Sequence, residues 1–213
     1  VGSIANSAEK AGAALLNSVI ANYGTMTLDM DGGDITVGDA STVSASTTQS
    51  SVIENHGSMT LRLGGGTITI GVEGVTVNNS LSAIVNYGAM DITGPGTITN
   101  HAYSSSGISS AGMVNKQTSV IRNEGEDAVL SVDNVTLVTT QAQNHNSSVL
   151  VNFKGATITD LTDVTITHVN GHGIYNIGGT IEKIYGGSIT GYRGIYNQNI
   201  CSGSQTAGGY IVE

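Results

Sequence analysis

This chain has little charge, and less than a third of it is positive. Lys and Arg number 7 against 16 Asp and Glu, and only 11% of the 213 residues are charged. A net charge of −9, with the bases scattered singly, excludes nucleic acid as a partner, because phosphate neutralisation needs clustered Lys and Arg. The same scatter excludes an anionic membrane surface. A single cysteine, Cys201, excludes an intramolecular disulfide and a multi-cysteine metal site, and it reads as a small packed hydrophobe. No apolar run approaches the ~20 residues of a membrane span, so no membrane insertion is expected. No signal-peptide pattern opens the chain, so a targeting signal, for a secreted protein, is expected to have been removed or to lie elsewhere. Tryptophan is absent, with one proline and one phenylalanine.

What remains is rich in Thr, Val, Ile and Ser, with 30 glycines. That is the composition of half-buried strands joined by tight turns. The length suits one domain spanning 1–213.

One seven-residue phrase recurs: "SVIANYG" (18–24), "SVIENHG" (51–57), "SAIVNYG" (82–88), "SVIRNEG" (119–125), "SVLVNFK" (148–154), "HGIYNIG" (172–178) and "RGIYNQN" (193–199). Its asparagines, Asn22, Asn55, Asn86, Asn123, Asn152, Asn176 and Asn197, fall at intervals of 33, 31, 37, 29, 24 and 21 residues. Internal repeats at such periods mean stacked units of a solenoid. Two residues before each asparagine stands an aliphatic: Ile20, Ile53, Ile84, Ile121, Leu150, Ile174, Ile195. The position between them holds Ala21, Glu54, Val85, Arg122, Val151, Tyr175 and Tyr196. An always-aliphatic position points inward and one that admits Glu, Arg and Tyr points outward, so the phrase is a strand.

A second strand follows, as in "TMTLDM" (25–30), "SMTLRL" (58–63) and "AMDITG" (89–94), with "AVLSV" (128–132) two residues late. A third begins after a turn, with Ile35, Ile68, Ile98, Val135, Val164 and Ile189 as its inward column. Three short strands per turn, about seven times over, predict an all-β fold, a right-handed parallel β-helix. Stacked asparagines at a corner can bond amide to amide along the axis and satisfy the backbone groups a bend exposes. The glycines two residues on (Gly24, Gly57, Gly88, Gly125, Gly178) suit φ > 0 or close approach. On this reading the phrase is scaffolding and carries no chemistry.

Between the third strand and the next phrase, long connections (38–50, 71–81, 100–118, 139–147) predict a rim on one face, where solenoids bind partners. The stretch 7–16, "SAEKAGAALL", is the one helix-friendly segment, expected to cap the first coil with Ser7 as N-cap. "GGYIVE" ends the chain without an evident cap, so a piece of a longer surface protein is expected.

Candidate chemistry is sparse. Asp29, Asp31, Asp34 and Asp39 miss both the EF-hand frame and the nonapeptide calcium pattern, and His56, His101, His145, His168 and His172 are dispersed, so neither a metal nor a cofactor is expected. Asp91, Asp160 and Asp163 are the acids a polysaccharide hydrolase or lyase would use. No Ser-His-Asp order emerges. Thr36, Thr69, Thr99, Thr136, Thr165 and Thr190 form an outward rank, and Thr67 and Thr97 start a second broken by Asp34, Asn134, Asp163 and Ser188. Two threonine ranks resemble an ice-binding face; the charged breaks argue against that use. Tyr175 and Tyr196 occupy one outward position on successive coils, with His172 and Arg193 three residues earlier in each, so their rings should stack on the surface. With Tyr192 and Lys183 they form the candidate ligand site, since aromatic faces beside polar donors suit a sugar or a protein.

The "[AG]-I-x-N-x-G" phrases and "G-T-I-T" strands resemble the pectate-lyase-like right-handed β-helix of bacterial cell-surface adhesins, over nearly the whole chain. The resemblance implies a secreted or surface-displayed, non-enzymatic module binding glycans or a host surface protein. The rival expectations are a tailspike-like or lyase-like depolymerase and a structural stalk.

Overall fold

The structure is a computed structural model that describes residues 3–6, 17–38, 50–73, 76–77, 81–104, 118–140, 147–198, 200–201, 206–207 and 210–211. Three parallel sheets run side by side along its length, and the chain visits each in turn, strand by strand. The asparagine sheet stacks Asn17–Asn22, Ser50–Asn55, Leu81–Asn86, Ser119–Asn123, Ser148–Phe153, His172–Ile177 and Arg193–Gln198. The second sheet begins at Thr25–Asp29 and includes Ser58–Arg62, Ala89–Thr93, Val129–Asp133 and Thr157–Thr162; the third runs from Ser3–Asn6 through Asp34–Val37 to Ser188–Thr190. The protein is thus an all-β, right-handed parallel β-helix of about seven coils. The stretch 7–16 read as a capping helix lies outside the described residues, as does most of the expected loop rim. Two fragments of that rim, Thr76–Val77 and Tyr103–Ser104, pair in parallel.

Register places like on like. Ile20, Ile53, Ile84, Ile121, Leu150, Ile174 and Ile195 sit over one another, and from Ile53 to Ile174 they are buried. The residue before each also enters the core (Val52, Ala83, Val120, Val149). Two consecutive inward side chains break strict alternation, so the chain bends there.

The asparagines form one continuous ladder. Nδ2 of each donates to Oδ1 of the next, from Asn22 to Asn197, at 2.7–3.1 Å. Nδ2 also reaches a backbone carbonyl of the following coil, at Ser58, Ala89, Val129, Thr157 and Thr180, at 3.0–3.1 Å. In the first three coils Oδ1 accepts the N–H of the glycine two residues on, at 3.1–3.3 Å. Backbone groups that the bend exposes at this corner thereby find partners. The corner glycines differ in their reasons: a Cβ on Gly57 or Gly88 would run into the glycine carbonyl of the coil before it, whereas Gly125 and Gly178 carry positive φ. Gly24 has neither feature.

The third sheet corrects its predicted columns. Ile98 sits on Leu137, and Leu137 on Ile166, so Val135 and Val164 precede that column instead of belonging to it. Asn134 and Asp163 occupy the turn before the strand, each in the left-handed region (φ 54 and 50), where earlier coils use glycine such as Gly65. Both Val and Leu face inward, two residues apart, and the turn shift chooses between them. The threonine ranks are redrawn too. Thr67, Thr97, Thr136 and Thr165 lie in one, and Val138 interrupts the other between Thr99 and Thr167.

Asn86 is fully buried at the middle of the ladder. Asn86→Ala removes its bonds to Asn55, Asn123, Val129 and Gly88 and leaves a void, which should cost about 3–5 kcal/mol. Thr97→Ala on the outer face should stay within about 0.5 kcal/mol. Urea unfolding midpoints of the two variants check the contrast; equal losses would remove the ladder from its place in the fold.

Candidate functional site

The outer face of the asparagine sheet carries the side chains flanking each asparagine. They point away from the bore, as read, but pointing outward does not expose them. Glu54, Val85, Arg122, Val151 and Tyr175 are all buried. Tyr175 is only 4% exposed, which corrects the expectation of a surface ring. Val151, Phe153, Tyr175 and Ile177 form a small apolar cluster of their own, with Tyr196 packed against it. Charges on this face pair within a coil: Glu54 with His56 at 2.6 Å, and Arg122 Nε with Glu124 at 2.6 Å. Arg122 lies over the Phe153 ring at 4.4 Å, and its two Nη atoms are buried without a hydrogen-bond partner.

At the C-terminal end of this face four of the candidate residues meet. Register sets Tyr175 on Tyr196 and His172 on Arg193. The tyrosine rings stack with centroids 5.1 Å apart and planes 25° apart. His172, itself buried, lies 4.9 Å from Tyr196 and 5.4 Å from Tyr175. The Tyr175 hydroxyl donates to Gln198 Oε1, and burial, with the neighbouring Tyr196 adding to it, pushes that phenol up from its ordinary value. Arg193 is exposed, with its guanidinium 4.4 Å from the Tyr196 ring centroid. Tyr192, next to it in sequence, is 64% exposed.

Lys183 is not part of this group. It follows a short second-sheet strand, Thr180–Ile181, and its Nζ binds Asp160 at 2.9 Å. The cause is local. Thr157–Thr162 carries an extra residue where the register shifts opposite Leu130 and Ser131, and the next strand splits into Thr180–Ile181 and Ile184–Tyr185. Lys183 stands in that split. Hydrogen bonds from Lys183 and Thr162 hold the Asp160 carboxyl below its usual range, so it is ionised and poorly suited to act as a general acid. Asp91 and Asp160 both pair with Ser131, from opposite sides, two coils or ~10 Å apart at strand spacing.

Two groupings escaped the sequence reading. Tyr23, His56 and Tyr87, each directly after its asparagine, stack with centroids 4.6 and 4.7 Å apart and planes within 15°. The signal was present in the quoted phrases as NYG, NHG, NYG. The second is a serine–histidine pair, Ser147 Oγ and His168 Nε2 at 2.7 Å. His168 Nδ1 accepts the backbone N–H groups of Gly171 at 2.8 Å and Asn170 at 3.2 Å. The ring proton of the neutral imidazole is therefore on Nε2 and points at the serine, the reverse of what a general base needs. His168 is a corner residue. Two coils back in register, through Thr139, stands Asn100, which ties its own corner to the carbonyls of Leu81 and Ser119 at 2.9 and 2.7 Å.

Burial, reinforced by His172, pushes the His168 imidazole down from 6.5 to about 4. The unfolded chain then binds a proton before the folded chain does, so its contribution is complete above pH ~6.5 and is lost as pH falls towards ~4, roughly 3 kcal/mol in all. His168→Asn should keep the corner and remove this loss. The check is the difference in melting temperature between wild type and variant from pH 7 to 4. Parallel curves would clear His168 of the effect.

No family model, curated protein or solved structure matches the chain.

Proposed function

We propose that this chain is a non-enzymatic, cell-surface adhesin domain of the pectate-lyase-like β-helix kind, and that it binds glycans through the C-terminal end of the asparagine sheet. The observation that carries this reading is the exposed Arg193 guanidinium held 4.4 Å from the Tyr196 ring centroid; Tyr192, next in sequence, is exposed as well. A rigid aromatic surface with a planar donor fork suits the apolar face and the hydroxyls of a sugar ring. Tyr175 and His172 back Tyr196 from within the fold, so little freedom is lost on binding. The chemistry of the other groupings supports binding over turnover: His168 donates to its serine, and Asp160 is held as a carboxylate by Lys183.

The test is a glycan-array screen of the purified chain, with reducing-end release assayed on every hit. Binding without release is expected. Tyr192→Ala combined with Tyr196→Ala should weaken it at least tenfold, about 1.4 kcal/mol, with little change in melting temperature. Tyr175→Ala is unsuitable as a probe, because emptying a buried ring site costs about 3–5 kcal/mol of stability. Release of reducing ends would replace the adhesin with a depolymerase. Silence across the array would leave a stalk or a protein-binding module.

A further inference from the structure

We infer that the sugar recognised at this surface carries a carboxylate, and that Arg193 is the residue that selects it; this rests on the glycan-binding reading above. The described bases divide into two groups. Arg62 is paired with Asp29, Arg122 with Glu124 and Lys183 with Asp160. Lys154 and Arg193 have no such partner among the described residues, although the chain carries 16 Asp and Glu. Of the two, Arg193 is the one with a hydrogen-bonding fork, and no carboxylate of the described residues takes it up.

Its position is also fixed in advance. In register it continues the column of His172, and its guanidinium rests on Tyr196, a ring already stacked on Tyr175. A guanidinium lying over a ring can still present its edge, with its parallel N–H groups, to a bidentate acceptor. Tyr196 carries the guanidinium on its ring, so a sugar that reaches this surface meets the exposed Arg193 first. A neutral sugar offers that fork single hydroxyls; a carboxylate matches both of its donors at once.

The net charge of −9 limits the ligand further. The field of the whole protein repels a dense polyanion, and one guanidinium cannot offset several sulfates. The fit is to an isolated carboxylate, as on a terminal acidic sugar or a sparsely acidic polysaccharide. One ion pair also implies a shallow dependence on salt.

The experiment is titration calorimetry with matched probes: sialyllactose against lactose, and an oligoglucuronate against its carboxyl-reduced counterpart. The acidic member of at least one pair should bind about tenfold more tightly at low salt. Arg193→Gln should remove that preference, weakening the acidic member of the pair about tenfold and the neutral member much less, with the melting temperature unchanged; Arg193→Lys should restore the preference in part. Equal affinity within both pairs, or a preference that survives Arg193→Gln, overturns the carboxylate inference and leaves glycan binding standing. Binding of no probe, together with a silent glycan array, overturns both.

Discussion

Neighbouring coils of a parallel solenoid pair strand to strand at about 4.8 Å, and the pairing holds in all three sheets at once. Each inward side chain therefore rests on its counterpart one coil away, and only side chains that tolerate their own kind survive there. Isoleucine does so by dispersion and exclusion of water. Asparagine does so because a primary amide is donor and acceptor together, so a column of amides satisfies itself from within. Aspartate in that column would set like charges at bonding distance, and serine would not reach the carbonyl of the following coil as Asn86 reaches Val129. The corner residue is dictated by what can be superposed.

On the outer face the same superposition forbids stacked like charges and permits almost anything else. Glu54 finds His56, and Arg122 finds Glu124, each within its own coil. Where charge is absent the columns become aromatic or apolar, giving the stack of Tyr23, His56 and Tyr87 near one end and the Tyr175–Tyr196 stack near the other. The middle coils of this face are buried, from Glu54 to Tyr175. The C-terminal end offers Arg193, a cation with no carboxylate partner among the described residues, whereas the N-terminal stack has its histidine bound to Glu54.

The coil itself was legible in the sequence, because a residue that must sit on its copy leaves a repeat behind it. The Ile–x–Asn phrase predicts both the bore and the ladder, down to Asn197 in the last described coil. The third strand was misaligned at Val135 and Val164, and aligned again at Ile189, for an equally physical reason. A left-handed Asn134 replaces a turn glycine, and alternation with a period of two cannot distinguish Val135 from Leu137 when both face inward. The candidate site was half legible: the identity of position that joins Tyr175 to Tyr196 is a matter of register, and register follows the repeat. That Tyr175 is buried while Tyr192 is open depends on what covers each, and Lys183 was misplaced by an inserted residue in the preceding coil, near Leu130 and Ser131 in register. Neither fact has a periodic trace.

The amide ladder also has a direction. From Asn55 to Asn176 each side chain of the row gives its N–H towards the later coil and receives one from the earlier coil, so the dipoles add like magnets laid end to end. Turning one amide over would put hydrogen against hydrogen on one side and oxygen against oxygen on the other; the row reverses as a whole or stays as it is. A coil spliced into the middle needs only its own asparagine, in the same sense, to extend the row. The solenoid can therefore lengthen or shorten by whole coils without relearning how to turn its corner, while a single coil that lost the amide would divide one polarised row into two.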